Sequence, residues 1–124
     1  MINHSLVSVV DDDESVRESL PDLLREFGFA AQAFSSAEAF LTSDYVDQTR
    51  CLVLDIAMPG MSGPALQREL TRRRQAIPIV FITAQADEAV VRAGPPAGGA
   101  AACLLKPFSD TALLHALNTA LGDG

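Results

Sequence analysis

Three aspartates, one threonine and one lysine stand where apolar runs of the chain stop. Asp11 and Asp12 follow Leu6-Val7-Ser8-Val9-Val10, and Asp55 follows Cys51-Leu52-Val53-Leu54. Thr83 follows Ile79-Val80-Phe81-Ile82, and Lys106 follows Cys103-Leu104-Leu105. Lys106 is the single lysine among 9 cationic side chains. If the runs are strands of one parallel sheet, all five residues share its carboxyl edge, where open α/β sheets bind ligands. Carboxylates ~4 Å apart repel by ~4 kcal/mol at an effective dielectric of about 20. Such a group takes up a proton or a cation, and hard oxygen ligands in an open site suit Mg²⁺. One remaining carboxylate can then act as a nucleophile and form an aspartyl phosphate. The lysine and the metal would stabilise phosphoryl oxygens in the transition state, and the Thr83 hydroxyl would bind one afterwards. Singly, each residue has a plainer reading: acids before a helix, a turn acid, a strand-end threonine, a solvated lysine. Their joint placement carries the chemistry.

The elements between them must bring these ends together. Leu6–Val10 is a short β-rich run. Val16, Leu20, Leu23, Leu24 and Phe27 then recur at helical spacing, and Gly28 ends the pattern. Pro21 lies inside it, removes one backbone donor and crowds the carbonyl four residues back, which predicts a kink or a local break. Ala30–Phe34 reads as a weak second strand near an edge. Ser35-Ser36-Ala37-Glu38 resembles a capping box that opens a helix carrying Phe40 and Leu41. The run 51–55 lacks polar alternation, as suits a central parallel strand covered on both faces. Pro59-Gly60 forces a turn. Ser62 or Gly63 can cap the next helix, with Pro64 in its first turn and Leu66 and Leu70 inward. Arg72-Arg73-Arg74 closes it as solvated cations that complement the helix dipole. Pro78 opens the strand 79–83, where a missing donor does least harm. Residues 86–93 suit about two helical turns, and Gly94-Pro95-Pro96-Ala97-Gly98-Gly99 breaks any helix. Ala100-Ala101-Ala102 leads into the fifth strand. The last helix starts near Ser109 or Asp110 and aligns Leu113, Leu114, Leu117 and Leu121. Strands and helices in this alternation predict an α/β fold: a doubly wound, five-stranded parallel sheet of flavodoxin-like order 2-1-3-4-5, with helices on both faces.

At 124 residues the chain fits one domain. It is 48% hydrophobic and 20% charged, an ordinary globular mix. No apolar run approaches the ~20 residues of a membrane span, and no basic-then-apolar leader is visible at the N-terminus; a cytoplasmic location is expected. The net charge of −7 disfavours direct nucleic-acid binding. Cys51 and Cys103 both lie in apolar runs and are expected to be buried free thiols.

The chain resembles a receiver domain of a two-component response regulator. The matching pieces are Val9-Val10-Asp11-Asp12, Leu54-Asp55-Ile56-Ala57-Met58-Pro59-Gly60-Met61-Ser62-Gly63, Ile82-Thr83-Ala84 and Lys106-Pro107-Phe108. Val16-Arg17-Glu18-Ser19-Leu20 and Ser36-Ala37-Glu38-Ala39-Phe40-Leu41 resemble the FixJ-type transcriptional regulators in particular. The resemblance spans residues 1–124 and implies a CheY-like receiver. It implies Asp55 as phosphoacceptor, Asp12 as a direct Mg²⁺ ligand, Asp11 as a ligand chiefly through water, and the Ala57 backbone carbonyl as a further ligand. Thr83 and Lys106 would contact the phosphoryl group, and Ala84 would leave room for it. Lys106-Pro107 would be a cis peptide. A sensor histidine kinase is the implied donor, with an output domain attached or separate. The chain is then a monomer or weak homodimer, and either a single-domain receiver or a piece of a longer regulator. Three departures fall on the face that receivers use for output: Cys103 replaces an aromatic, Gly94-Pro95-Pro96 interrupts a helix, and the interval from Thr83 to Lys106 is one residue longer than in the FixJ type.

Other functions are weaker. A receiver-shaped module signalling without phosphate is favoured by the altered output face and disfavoured by the complete acid–threonine–lysine set. A phosphohydrolase of the haloacid dehalogenase type needs a second acid two residues after the nucleophile, where this chain has Ala57. A flavodoxin-like redox carrier needs a phosphate loop after strand one, and none follows. The expected activity is a switch, not an enzyme, with at most slow self-phosphorylation and self-dephosphorylation.

Overall fold

A computed structural model describes residues 5–83 and 100–122, with Ala100 and Ala101 described by backbone alone. The elements are β1 (Leu6–Val10), α1 (Glu14–Glu26), β2 (Ala30–Phe34), α2 (Ala37–Leu41), β3 (Thr49–Asp55), α3 (Gly63–Arg72), β4 (Ile79–Thr83), β5 (Ala100–Leu105) and α4 (Asp110–Ala120). A 3-10 turn over Val46–Gln48 leads into β3. The five strands pair in parallel in the order β2-β1-β3-β4-β5. Residues 84–99 lie outside the described residues, and with them the helix expected over 86–93 and the break over 94–99.

Residue alternation along the strands builds two cores. Val7, Val9, Cys51, Val53, Val80 and Ile82 face α1 and α4 through Leu20, Leu24, Leu113 and Leu117. Leu52, Leu54, Ile79 and Phe81 face α2 and α3 through Phe40, Leu66 and Leu70. β3 therefore has no polar face: Cys51, Leu52, Val53 and Leu54 are all inaccessible, as a central strand between two helical layers requires. Each fully buried Leu or Phe contributes about 1.5–3 kcal/mol, and this holds the carboxyl ends of β1, β3 and β4 side by side.

Local details differ from the sequence expectations in four places. α1 runs through Pro21 without a break, and Pro21 is itself buried. The fully buried Leu24 and nearly buried Leu20 hold the helix to the sheet on both sides of the missing donor, so packing outweighs the local penalty. The cap of α2 is Ser36, whose hydroxyl accepts from Ala39 N at 3.0 Å; position three of the helix is then alanine, and the reciprocal glutamate arm of a capping box is missing. β5 starts at Ala100, ahead of the expected Cys103. Both cysteines are free thiols, but only Cys51 is fully buried, while Cys103 is partly buried against the α2–α3 core.

Candidate functional site

Four strand ends deliver the five residues to the carboxyl edge: Asp11 and Asp12 after β1, Asp55 on β3, Thr83 on β4 and Lys106 after β5. β1 ends at Val10 and passes to Asp11, whose backbone N–H donates to Phe34 O at 3.1 Å. Asp13 then caps α1, its carboxylate accepting from Ser15 N and Ser15 Oγ at 2.9 and 2.8 Å. Asp55 is the last residue of β3. Just beyond it, Ile56 N donates to Ile82 O and Gly63 N donates to Ile56 O, both at 3.0 Å, which tie the loop to β4 and to the start of α3. Ser62 caps α3, accepting from Ala65 N at 3.3 Å. Thr83 ends β4 and is fully buried; its carbonyl accepts from Lys106 N at 2.7 Å. The peptide between Lys106 and Pro107 is cis.

The side chains of Asp11, Asp12 and Asp55 each bring a carboxylate oxygen within 4.8 Å of the others. Asp11 is inaccessible, Asp55 is 5% exposed, and Asp12 faces solvent. Lys106 Nζ donates to Asp11 Oδ2 at 2.8 Å, and Asp13 N donates to Asp11 Oδ1 at 2.9 Å. Ala57 N donates to Asp55 Oδ1 at 3.4 Å. The plainer reading of Lys106 as a solvated lysine fails: in the structure it is half of an ion pair with the wholly buried Asp11. Ala84 lies outside the described residues.

Electrostatics follow from this packing. Burial, then the charge of Asp11, push the Asp55 carboxyl up to about 7, against the pull of Lys106. Burial works against the Lys106 ammonium, but the hydrogen bond to Asp11 and the charges of Asp11, Asp55 and Asp13 outweigh it and hold it above the ordinary lysine value. The pocket thus carries an acid that gives up its proton less readily than a free carboxyl, beside a fixed cation. The donor set is all carboxylate oxygen in an open edge, which fits Mg²⁺ in preference to a softer metal.

Two contributors carry no recognisable sign of their role in the sequence. Gly63 lies so close to β3 that a Cβ there would stand 2.6 Å from Asp55 O and 2.9 Å from Ile56 Cα. Arg17 reaches back from α1, and its Nη1 donates to the backbone carbonyl of Asp11 at 3.0 Å. Glycine before a helix was legible as a cap; its close approach to the acid's own carbonyl was not.

The family model for the response regulator receiver domain matches residues 7–118. Among curated proteins, the chain is 47% identical over 114 residues to nodulation protein W of Bradyrhizobium diazoefficiens, covering 91% of this chain and 49% of that protein. It is 39% identical over 116 residues to the transcriptional regulatory protein FixJ of Azorhizobium caulinodans, covering 94% and 54%. The chain therefore spans about half the length of these curated relatives. Among solved structures it matches response regulator StyR with a TM-score of 0.82 at 45% identity, over 97% of this chain and 60% of that one. It matches FixJ-N with a TM-score of 0.78 at 36% identity, over 98% and 96%.

Proposed function

The chain belongs to the response regulator receiver domain family of two-component systems, and on that premise we propose that residues 1–124 form a phosphate-operated switch with Asp55 as the phosphoacceptor. The observation that carries this reading is the gathering of Asp11, Asp12 and Asp55 within 4.8 Å at the carboxyl edge, with Lys106 fixed 2.8 Å from Asp11.

In this reading an Asp55 oxygen attacks the phosphorus of a phosphohistidine on a sensor histidine kinase. The new P–O bond forms as the P–N bond breaks, and the imidazole leaves. Asp12, Asp55 and the Ala57 carbonyl would hold Mg²⁺, with Asp11 acting chiefly through water. The bound cation would neutralise carboxylate repulsion and charge on the phosphoryl oxygens. Lys106 Nζ, already aimed into the pocket, would contact one phosphoryl oxygen, the Thr83 hydroxyl another, and Ala84 would leave space beside them. The domain transmits the modification to an output domain, attached or separate, in the cytoplasm; it turns over its own phosphate slowly and does not itself bind nucleic acid. A monomer or weak homodimer suits the altered output positions.

Intact mass after incubation with acetyl phosphate tests the assignment. With Mg²⁺ the wild type gains one phosphoryl mass; with EDTA, or in Asp55→Asn, it gains none. Undiminished labelling of Asp55→Asn would overturn the assignment, and an unlabelled wild type would favour a module that signals without phosphate.

A further inference from the structure

We propose that Arg17 is a positioning residue for the acidic pocket: its guanidinium fixes the peptide joining Asp11 to Asp12 and so holds the Asp12 carboxylate beside Asp55. What the pocket binds rests on the phosphoacceptor reading; the positioning itself does not.

Asp11 is tied at every polar atom. Its N–H donates to Phe34 O at 3.1 Å, Oδ1 accepts from Asp13 N at 2.9 Å, and Oδ2 accepts from Lys106 Nζ at 2.8 Å. Its carbonyl accepts from Arg17 Nη1 at 3.0 Å. Asp12 is different: it faces solvent, and among the described residues no hydrogen bond orients its carboxylate. Its place within 4.8 Å of Asp11 and Asp55 is therefore set by its backbone. The Asp11 carbonyl and the Asp12 N–H share one planar peptide, so fixing the carbonyl fixes the direction in which Asp12 leaves the strand.

Arg17 has a rigid base for this task. Its own N–H donates to Asp13 O at 3.2 Å in the first turn of α1. The turn is capped by Asp13, and α1 is anchored by Leu20 and Leu24. A charged donor on a half-buried carbonyl is among the stronger neutral-acceptor hydrogen bonds. Geometry and charge then predict opposite signs. As a plain cation beside three carboxylates, Arg17 opposes a divalent ion, and removing it would strengthen Mg²⁺ binding. As a positioning residue it favours the ion, because the acids lose their mutual placement without it.

The test is Mg²⁺ titration by calorimetry of wild type, Arg17→Met and Arg17→Lys, with Asp12→Ala as the control for the pocket. Met keeps the stem and removes donor and charge; Lys restores both on a more flexible stem. We expect about tenfold weaker Mg²⁺ binding in Arg17→Met, with partial recovery in Arg17→Lys. Equal or tighter binding in Arg17→Met overturns the proposal. Amide hydrogen exchange without metal decides it independently. Arg17→Met loses protection at Asp13, whose N–H is bonded to Asp11, while the sheet amides of β1 keep theirs; unchanged protection at Asp13 overturns the proposal. Failure of the wild type to bind Mg²⁺ would instead count against the phosphoacceptor reading, and the exchange result would still decide the role of Arg17.

Discussion

Asp55→Asn should make the metal-free protein more stable. The Asp55 carboxyl moves from 3.8 to about 7, through burial first and the charge of Asp11 second. A shift of about three pKa units is ~4 kcal/mol between the two protonation states. Solvent at the open sheet edge screens part of it, so roughly 2 kcal/mol is the working figure. The replacement keeps an oxygen for the Ala57 N–H, 3.4 Å from Asp55 Oδ1 in the wild type, and offers an amide donor to the acids beside it. In EDTA at pH 8 the variant should therefore unfold roughly 5–10 °C higher. The folded pKa is the raised one. Below about pH 4 both folded and unfolded states hold the proton, and the wild type carries no penalty. Between about pH 4 and 7 the unfolded chain releases its proton first, and the penalty grows to its full size above 7. The gap between the two proteins should follow that course. Saturating Mg²⁺ should narrow or reverse it, since ligand at 100 times its dissociation constant adds about 2.7 kcal/mol to the wild type. Thermal denaturation by circular dichroism over pH 4.5–8 reads all of this. An Asn variant less stable than wild type at pH 8 in EDTA, or a gap independent of pH, refutes the account of the pocket as a strained acid pair.

The same pocket and its supports yield three further outcomes. Lys106→Ala leaves the buried Asp11 carboxylate without its cation and should cost roughly 2–3 kcal/mol in urea unfolding at pH 7; because the Lys106 ammonium is raised, the wild type keeps this contribution until the pH climbs through that raised value. Gly63→Ala puts a Cβ 2.6 Å from Asp55 O, so the start of α3 or the end of β3 must move; a loss of about 2 kcal/mol together with weaker Mg²⁺ binding is expected, measured by unfolding and calorimetry. Arg74, at φ 61° after the end of α3, is the non-glycine residue in the left-handed region among those described; Arg74→Gly should raise the unfolding free energy by about 0.5–1 kcal/mol without touching the site.

What could be read from the sequence and what could not separate along a physical line. Strand ends were legible because a buried parallel strand needs an unbroken apolar run, and a polar residue closing such a run stands out: Asp11, Asp55 and Thr83 all lie where those runs predict. No break forms at Pro21 because Leu20 and Leu24, of which the local rule knows nothing, hold α1 to the sheet on either side of it. Ser35 and Ser36 offered two registers for one cap, and one residue of slip decides whether Glu38 can answer it. The missed supports share a cause of another kind. Gly63 and Arg17 act on backbone atoms, the carbonyls of Asp55 and Asp11. A side chain that meets another side chain leaves a pair of informative residue types in the sequence, as Lys106 and Asp11 do. A side chain that meets a carbonyl leaves only one, since every residue carries that acceptor. Residues that aim a site by gripping its backbone are therefore the ones for which coordinates, and not composition or motif, are needed. In this domain Gly63 sits against the carbonyl of Asp55, and Arg17 grips the carbonyl that precedes Asp12, an acid whose carboxylate has no hydrogen bond among the described residues.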